Sequence, residues 1–275
     1  LKFVNGLYKS AVGRLLAGMG AMAAGELGTM GALSGLHNLV KSEGEDMSHT
    51  SPQRITALLA AVKKKHGLDV GYRHDPVAIS SNAGYMTSDM WSRSAEGIEK
   101  RINDPRSHDP QSAEYVHPST RRMLIKKVDD IGKSMRRGGL VMTGKHFKKP
   151  GTVEHELGHA IAGSRGNAVE RATIQHDIPK YSPLYHTLPT YLAAFKGGGK
   201  GPMVGALAGG LTGLLTDIPT LYAEYSANKY GDKLMSKDQP QQGRNKSYGS
   251  YLASSVLPGA ITGGLYGLAK RKFKL

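Results

Sequence analysis

Residues 151–161 run Gly151-Thr152-Val153-Glu154-His155-Glu156-Leu157-Gly158-His159-Ala160-Ile161, and the fold class follows from how this stretch is read. Lys149-Pro150-Gly151-Thr152 is a start signal that predicts a helix from about Thr152 onward. Val153, Leu157, Ala160 and Ile161 then form an apolar stripe at helical spacing, which would bury one face. Positions four apart lie one above the other on a helix, so His155 and His159 can offer two imidazole nitrogens to one metal ion. Glu156 sits one step around, where its carboxylate reaches a water beside the metal rather than the metal itself. With this composition the His-Glu-x-x-His pattern arises by chance on the order of 0.02 times per chain, so it is read as a site.

Composition narrows what that site can be. The chain has 275 residues, room for one large domain or two small ones with a proper core. It has no cysteine, which excludes disulfides and thiolate metal sites and leaves His and carboxylate as ligands. Zinc (Zn2+) held by such ligands suits a catalytic site better than a structural one. Lys and Arg total 37 against 22 Asp and Glu, a formal net charge of +15, which favours anionic partners such as phospholipid headgroups or nucleic acid. Lys63-Lys64-Lys65, Arg121-Arg122 and Arg136-Arg137 are basic clusters without interleaved aromatic residues, which makes nucleic acid the less favoured partner.

Three segments divide the chain: a glycine-rich apolar helical segment and linker over 1–50, the motif-bearing domain over 51–236, and a polar loop plus C-terminal glycine-rich helix over 237–275. Residues 41–50 read as the linker and 237–249 as the exposed loop. Ser51-Pro52 caps a helix whose buried face is Ile55, Leu58, Leu59 and Val62. Residues 68–73 and 77–86 are strand candidates, with a turn around Asn82-Ala83-Gly84. Residues 90–112 are charged and predict loops or a short helix. Pro118-Ser119-Thr120 opens a further helix with Met123, Leu124, Val128 and Ile131 as its apolar face, and Leu140–Thr143 is a short β-prone run. Helix, strands, helix, strand and motif helix in this order predict an α+β domain.

Small residues recur every four positions at Gly20, Ala24, Gly28 and Ala32, at Gly205, Gly209 and Gly213, and at Gly259, Gly263 and Gly267. Such tracks let helices approach closely and would also suit self-association. The stretch between Arg14 and Glu26 and the stretch 203–215 both fall short of the roughly 17–25 apolar residues of a span. Residues 252–269 are uncharged but contain Pro258 and several glycines, and Lys270-Arg271-Lys272-Phe273-Lys274 follow. That segment reads as a marginal span or an interfacial helix whose cationic end suits an anionic membrane surface. Close-packed helices in water are the competing expectation.

The third ligand decides the class, since a catalytic zinc takes three protein ligands and leaves a position for water. The metzincin pattern asks for Gly three residues and His six residues after the second His; Ala162 and Arg165 stand there and exclude it. Downstream, residues 220–231 read TLYAEYSANKYG, a helical stretch. Together with the first motif this resembles the gluzincins, peptidases whose third ligand is a Glu from a later helix. Glu224-Tyr225-Ser226-Ala227-Asn228, followed by Lys229-Tyr230-Gly231, is most similar to the membrane-associated M48-type peptidases, in which the pattern ends in Ala-Asp. The resemblance implies a zincin-like metallopeptidase domain with a small mixed sheet, zinc ligands His155, His159 and Glu224, and Glu156 as general base. Asn228 departs from it. The family carboxylate at this place accepts a proton from a ligand His, and an Asn carbonyl accepts the same bond without charge, at a cost in metal affinity or activity. Among the residues themselves His176, Asp177 and Glu170 compete as third ligand, with His146 behind them.

The implied activity is hydrolysis of a peptide or protein substrate, Glu156 taking a proton from water and delivering it to the leaving amine. Tyr181, Tyr185, His186 and Tyr222 are candidates for a second oxyanion donor. By analogy with zincin folds, Leu140–Thr143 is expected to be an edge strand that pairs with an extended substrate. The alternative is a structural or membrane-active protein that carries a zincin-like domain as a scaffold. Its glycine-track helices, basic tail and start at Leu1 resemble processed phage virion proteins such as ejection or tape-measure fragments, an expectation that points to a membrane or a virion.

Overall fold

The computed structural model describes Gly20, Ala21, Ala23, Gly28 and residues 51–74, 83–144, 151–175, 187–234 and 242–273. These fall into two units, one of 51–74, 83–144, 151–175 and 226–234, the other of 187–225 and 242–273 with the four earlier positions. Packing thus divides the chain differently from its linear order: residues 203–216, expected within the motif domain, pack with 242–273. The linker at 41–50, residues 77–82, and Ala24 and Ala32 of the first glycine track lie outside the described residues.

In the first unit, α1 spans Pro52–His66, opened by the Ser51 hydroxyl, which accepts from the Arg54 N–H at 3.2 Å, and closed by Gly67 at φ 66°. Its Ile55, Leu58 and Val62 are buried. Strands β1 (Gly71–His74), β2 (Ala83–Met86) and β3 (Leu140–Thr143) form one mixed sheet in the order β1-β3-β2, β1 parallel and β2 antiparallel to β3. Ala83 and Gly84, expected in a turn, are paired strand residues opposite Thr143 and Met142. The expected edge position of Leu140–Thr143 is corrected as well. β3 is the central strand, both its hydrogen-bonding sides are taken by neighbours, and all four of its residues are buried. Gly139, at φ 92°, leads into it where a methyl group would lie 2.6 Å from the Met86 carbonyl oxygen.

Helix α2 covers Ser88–Asn103, where loops or a short helix were expected. Thr87 caps it, and Trp91, Ala95, Ile98 and Ile102 turn inward at heptad spacing, a stripe that the surrounding charges obscure. Helix α3 covers Pro118–Ser134 with Leu124, Val128 and Ile131 inward, whereas Met123 of the expected face is exposed. Helix α4 (Thr152–Arg165) carries the motif and buries Val153, Leu157, Ala160 and Ile161 against Val62, Val70 and Val141 in one core. Helix α5 (Ala168–Gln175) follows it. Among the described residues, mostly helix with one small mixed sheet is the α+β class.

The second unit is built from α6 (Leu188–Gly198), α7 (Pro202–Thr216), the first half of α8 (Ile218–Gly231) and α9 (Gln242–Phe273). Helix α8 runs without a break, and the division between units falls inside it, after Tyr225. α9 begins at Gln242, within the expected 237–249 loop. No proline interrupts 242–257, so the helix of the apolar segment extends back through polar residues. The glycine tracks meet one another: Gly205 faces Gly263, Gly209 faces Gly259, and Gly213 faces Ser255, each so near that a methyl group would run into the opposite backbone. These two tracks are used within the chain.

Candidate metal centre

Helix α4 is held on three sides before any metal chemistry is considered. Gly151, at φ 82°, turns the chain into it, and the His155 N–H bonds the Gly151 carbonyl at 2.9 Å. Glu154 is buried and accepts from Arg54 Nη2 at 2.7 Å, which ties the first turn of α4 to α1. The apolar stripe fixes the helix rotation, so His155 and His159 emerge together, half-buried, with ring centroids 4.8 Å apart in an edge-to-face arrangement. Glu156, beside them, is buried.

Helix α8 crosses α4 at two glycines. A methyl group at Gly158 would lie 2.8 Å from the Ala227 carbonyl carbon, and one at Gly231 would lie 2.7 Å from the Glu154 carbonyl oxygen. A mid-helix glycine costs about 1 kcal/mol relative to Ala. Here it permits a close crossing that brings Asn228 to the motif. The Asn228 Oδ1 accepts from His155 Nδ1 at 2.9 Å. With the hydrogen on Nδ1, the lone pair of His155 is on Nε2, the atom that would ligate a metal. One helical turn earlier on the same helix is Glu224, and ligand atoms of His155, His159 and Glu224 all lie within 4.8 Å of one another. Two imidazoles and one carboxylate converging in this way could hold a metal ion, and the set contains only N and O donors.

Glu170 is not a ligand in this arrangement, and sequence reasoning missed its work. Its buried carboxylate accepts from the Asn167 N–H at 2.8 Å, Lys229 Nζ at 3.1 Å and Tyr230 Oη at 3.0 Å, while Asn167 Oδ1 accepts from the Glu170 N–H at 2.9 Å. The first and last of these make the reciprocal cap that starts α5. The other two grip α8 immediately after Asn228. Burial pushes the Glu170 carboxyl up, but the Asn167 N–H, Lys229 and Tyr230 outweigh it and hold the group below its ordinary value. The spacing Asn-x-x-Glu at 167–170 was the available signal.

His146, His176, Asp177, Tyr181, Tyr185 and His186 lie outside the described residues. Tyr222 is on α8 with its ring 6.4 Å from that of Tyr225. Among the described residues the strand beside α4 that pairs on one side only is β2, antiparallel to β3. Comparison with protein-family models, with curated proteins and with solved structures returned no match.

Proposed function

We propose that the chain is a zinc-dependent metallopeptidase with a zincin-like fold of the gluzincin type. The observation that carries this is the convergence of His155, His159 and Glu224 around one point, with Asn228 bonded to His155. Zinc held there would supply Lewis acidity, polarising the scissile carbonyl and lowering the pKa of a water molecule toward 7. The Glu156 carboxylate takes the proton of the attacking water and delivers it to the leaving nitrogen. Asn228 keeps the hydrogen of His155 on Nδ1 but, being neutral, raises the basicity of that ligand less than a carboxylate would. An extended peptide substrate adds to the outer edge of β2, main-chain hydrogen bonds setting its register beside α4. Asn228 is also what favours the second reading, a metal-holding scaffold in a membrane-active or virion protein.

Metal analysis and peptide hydrolysis test both readings together. Glu156→Gln should keep one zinc per chain and lose about 10²–10⁴-fold in hydrolysis of a peptide library. Hydrolysis at the wild-type rate in that variant would remove Glu156 from the mechanism, and a zinc-loaded wild type that cleaves nothing favours the scaffold. Glu224→Ala should lower zinc content; an unchanged content assigns the third ligand elsewhere.

A further inference from the structure

We propose that the unit of α6, α7 and α9 sits in a lipid bilayer, with a leucine flank against the acyl chains and a cationic end at anionic headgroups. The inference is independent of the metal chemistry and rests on how this unit distributes its side chains. On α7 the buried positions are Gly205, Gly209, Gly210 and Gly213. The exposed positions are Met203, Val204, Leu207, Leu211 and Leu215, the leucines 58–63% exposed. α6 continues the pattern with Leu188 and Leu192 outward and Thr190, Ala194, Gly197 and Gly198 inward, together with Tyr191. On α9 the inward row is Ser255, Gly259, Thr262, Gly263 and Gly267, with Leu252, Leu265 and Leu268 outward.

A helix in water carries its large apolar residues inward and its polar residues outward. Here, Tyr191 apart, the order is reversed. In hydrocarbon there is no hydrophobic drive between helices, so packing through small residues holds them together and aliphatic side chains face the solvent, which is lipid. Met203 apart, the outward row of α7 holds none of the residue types that a protein partner's interface would use for anchoring and for its rim, neither aromatic nor arginine nor polar.

Length and charge agree. Within the candidate span Leu252–Lys272 the uncharged stretch 252–269 is about 27 Å long as a helix, close to a hydrocarbon core of about 30 Å, with the cations that follow left for the headgroups, and only 28% of the most apolar window is buried. Gly267 lies against Pro202 and Lys270 Nζ donates to the Gly199 carbonyl at 3.0 Å, so the end of α6, the start of α7 and the end of α9 meet. That end gathers Lys196, Lys200, Lys270, Arg271 and Lys272 with no acidic residue among them. At the other end of α7, the Ser255 hydroxyl donates to the Asp217 carboxylate. Nothing charged stands between on α7.

Flotation of the full, zinc-loaded chain with vesicles tests this. The wild type should float with phosphatidylcholine vesicles containing phosphatidylglycerol, and less with phosphatidylcholine alone. Leu207→Arg with Leu211→Arg should cut the floating fraction at least tenfold while helical content and zinc content stay. Lys270→Glu, Arg271→Glu and Lys272→Glu together should erase the preference for anionic vesicles. As a probe that preserves the flank, Leu207→Cys gives the chain its single cysteine, and an environment-sensitive dye there should shift to the blue on vesicle addition. A wild type that stays at the bottom with both vesicles, a dye that does not shift, or flotation indifferent to the arginine pair overturns the proposal. So does a lipid-free dimer that the arginine pair dissociates without changing flotation, which would make a second copy the occupant.

Discussion

The two units solve the packing of helices in opposite ways. In the unit with the sheet, Leu140, Leu157, Ile161, Val62 and Val141 fill the interior, and the buried Glu154 carboxylate is paired with Arg54. In the unit of α6, α7 and α9, glycine, alanine, serine and threonine, with Tyr191 among them, fill the interior and leucine covers the outside. The first gains its stability from apolar area withdrawn from water, roughly 25 cal/mol per Å². In the second, α7 and α9 meet at small residues with their backbones in direct contact. The motif helix belongs to the first kind: large buried side chains lock its rotation and with it the aim of the two histidines. One device of the second kind is borrowed there, the crossing of α4 and α8 at Gly158 and Gly231.

The sharpest way to break this contrast is at Leu157. Leu157→Ala should cost about 2–5 kcal/mol and take the zinc content down with it, read by thermal unfolding and metal analysis of the same samples. A loss below about 1 kcal/mol would mean that α4 is not seated by its apolar stripe. In the other unit the damaging change is the opposite, from small to large. Gly263→Leu should cost about 1–3 kcal/mol by forcing α7 and α9 apart, exposing α7 and α9 to limited proteolysis while zinc content and hydrolysis stay at wild-type levels. Zinc lost in step with the proteolysis would show that the two kinds of packing are not separable.

A smaller effect sharpens the contrast at Glu170, where buried charge replaces apolar area. Glu170→Gln should cost about 1–2 kcal/mol at neutral pH. The folded carboxyl titrates below its ordinary value of 4.5, so its contribution is present above that pH and disappears as pH falls through the folded value. Stability of wild type and variant, measured by denaturant unfolding from pH 7 to pH 3, should therefore converge on the acid side. A gap that stays constant over this range would assign Glu170 a packing role rather than a charged one.

Local signals carried much of the first unit. Ser51 and Pro52 start α1, and Leu140–Thr143 is a strand by composition; both elements are formed as their residues predict. The expected short or absent helix at 90–112 failed because Trp91, Ala95, Ile98 and Ile102 are outnumbered by charges, although their spacing alone suffices to bury a helix. The expected edge role of β3 failed for a different reason. Which strand is central depends on β1 and β2 arriving from both sides, and β1 pairs with it from some seventy positions earlier in the chain. Glu170 looked like a competing ligand because a carboxylate near a motif carries no mark of its partners; Lys229 and Tyr230, which occupy it, are about sixty residues away.

Sequence alone determined the motif helix and the pairing of His155 with His159 on one of its faces, since helical periodicity is a property of neighbouring residues and needs no distant partner. It also marked the glycine tracks. Tertiary structure alone decided that Gly158 and Gly231 let α8 approach α4, the crossing that brings Asn228 to His155 and gathers Glu224, as the resemblance implied, with the two histidines. It likewise decided that the tracks of α7 and α9 face each other and turn the leucines outward. These are long-range contacts, and which surfaces meet is settled by steric fit and burial across the folded chain rather than by any local pattern of residues.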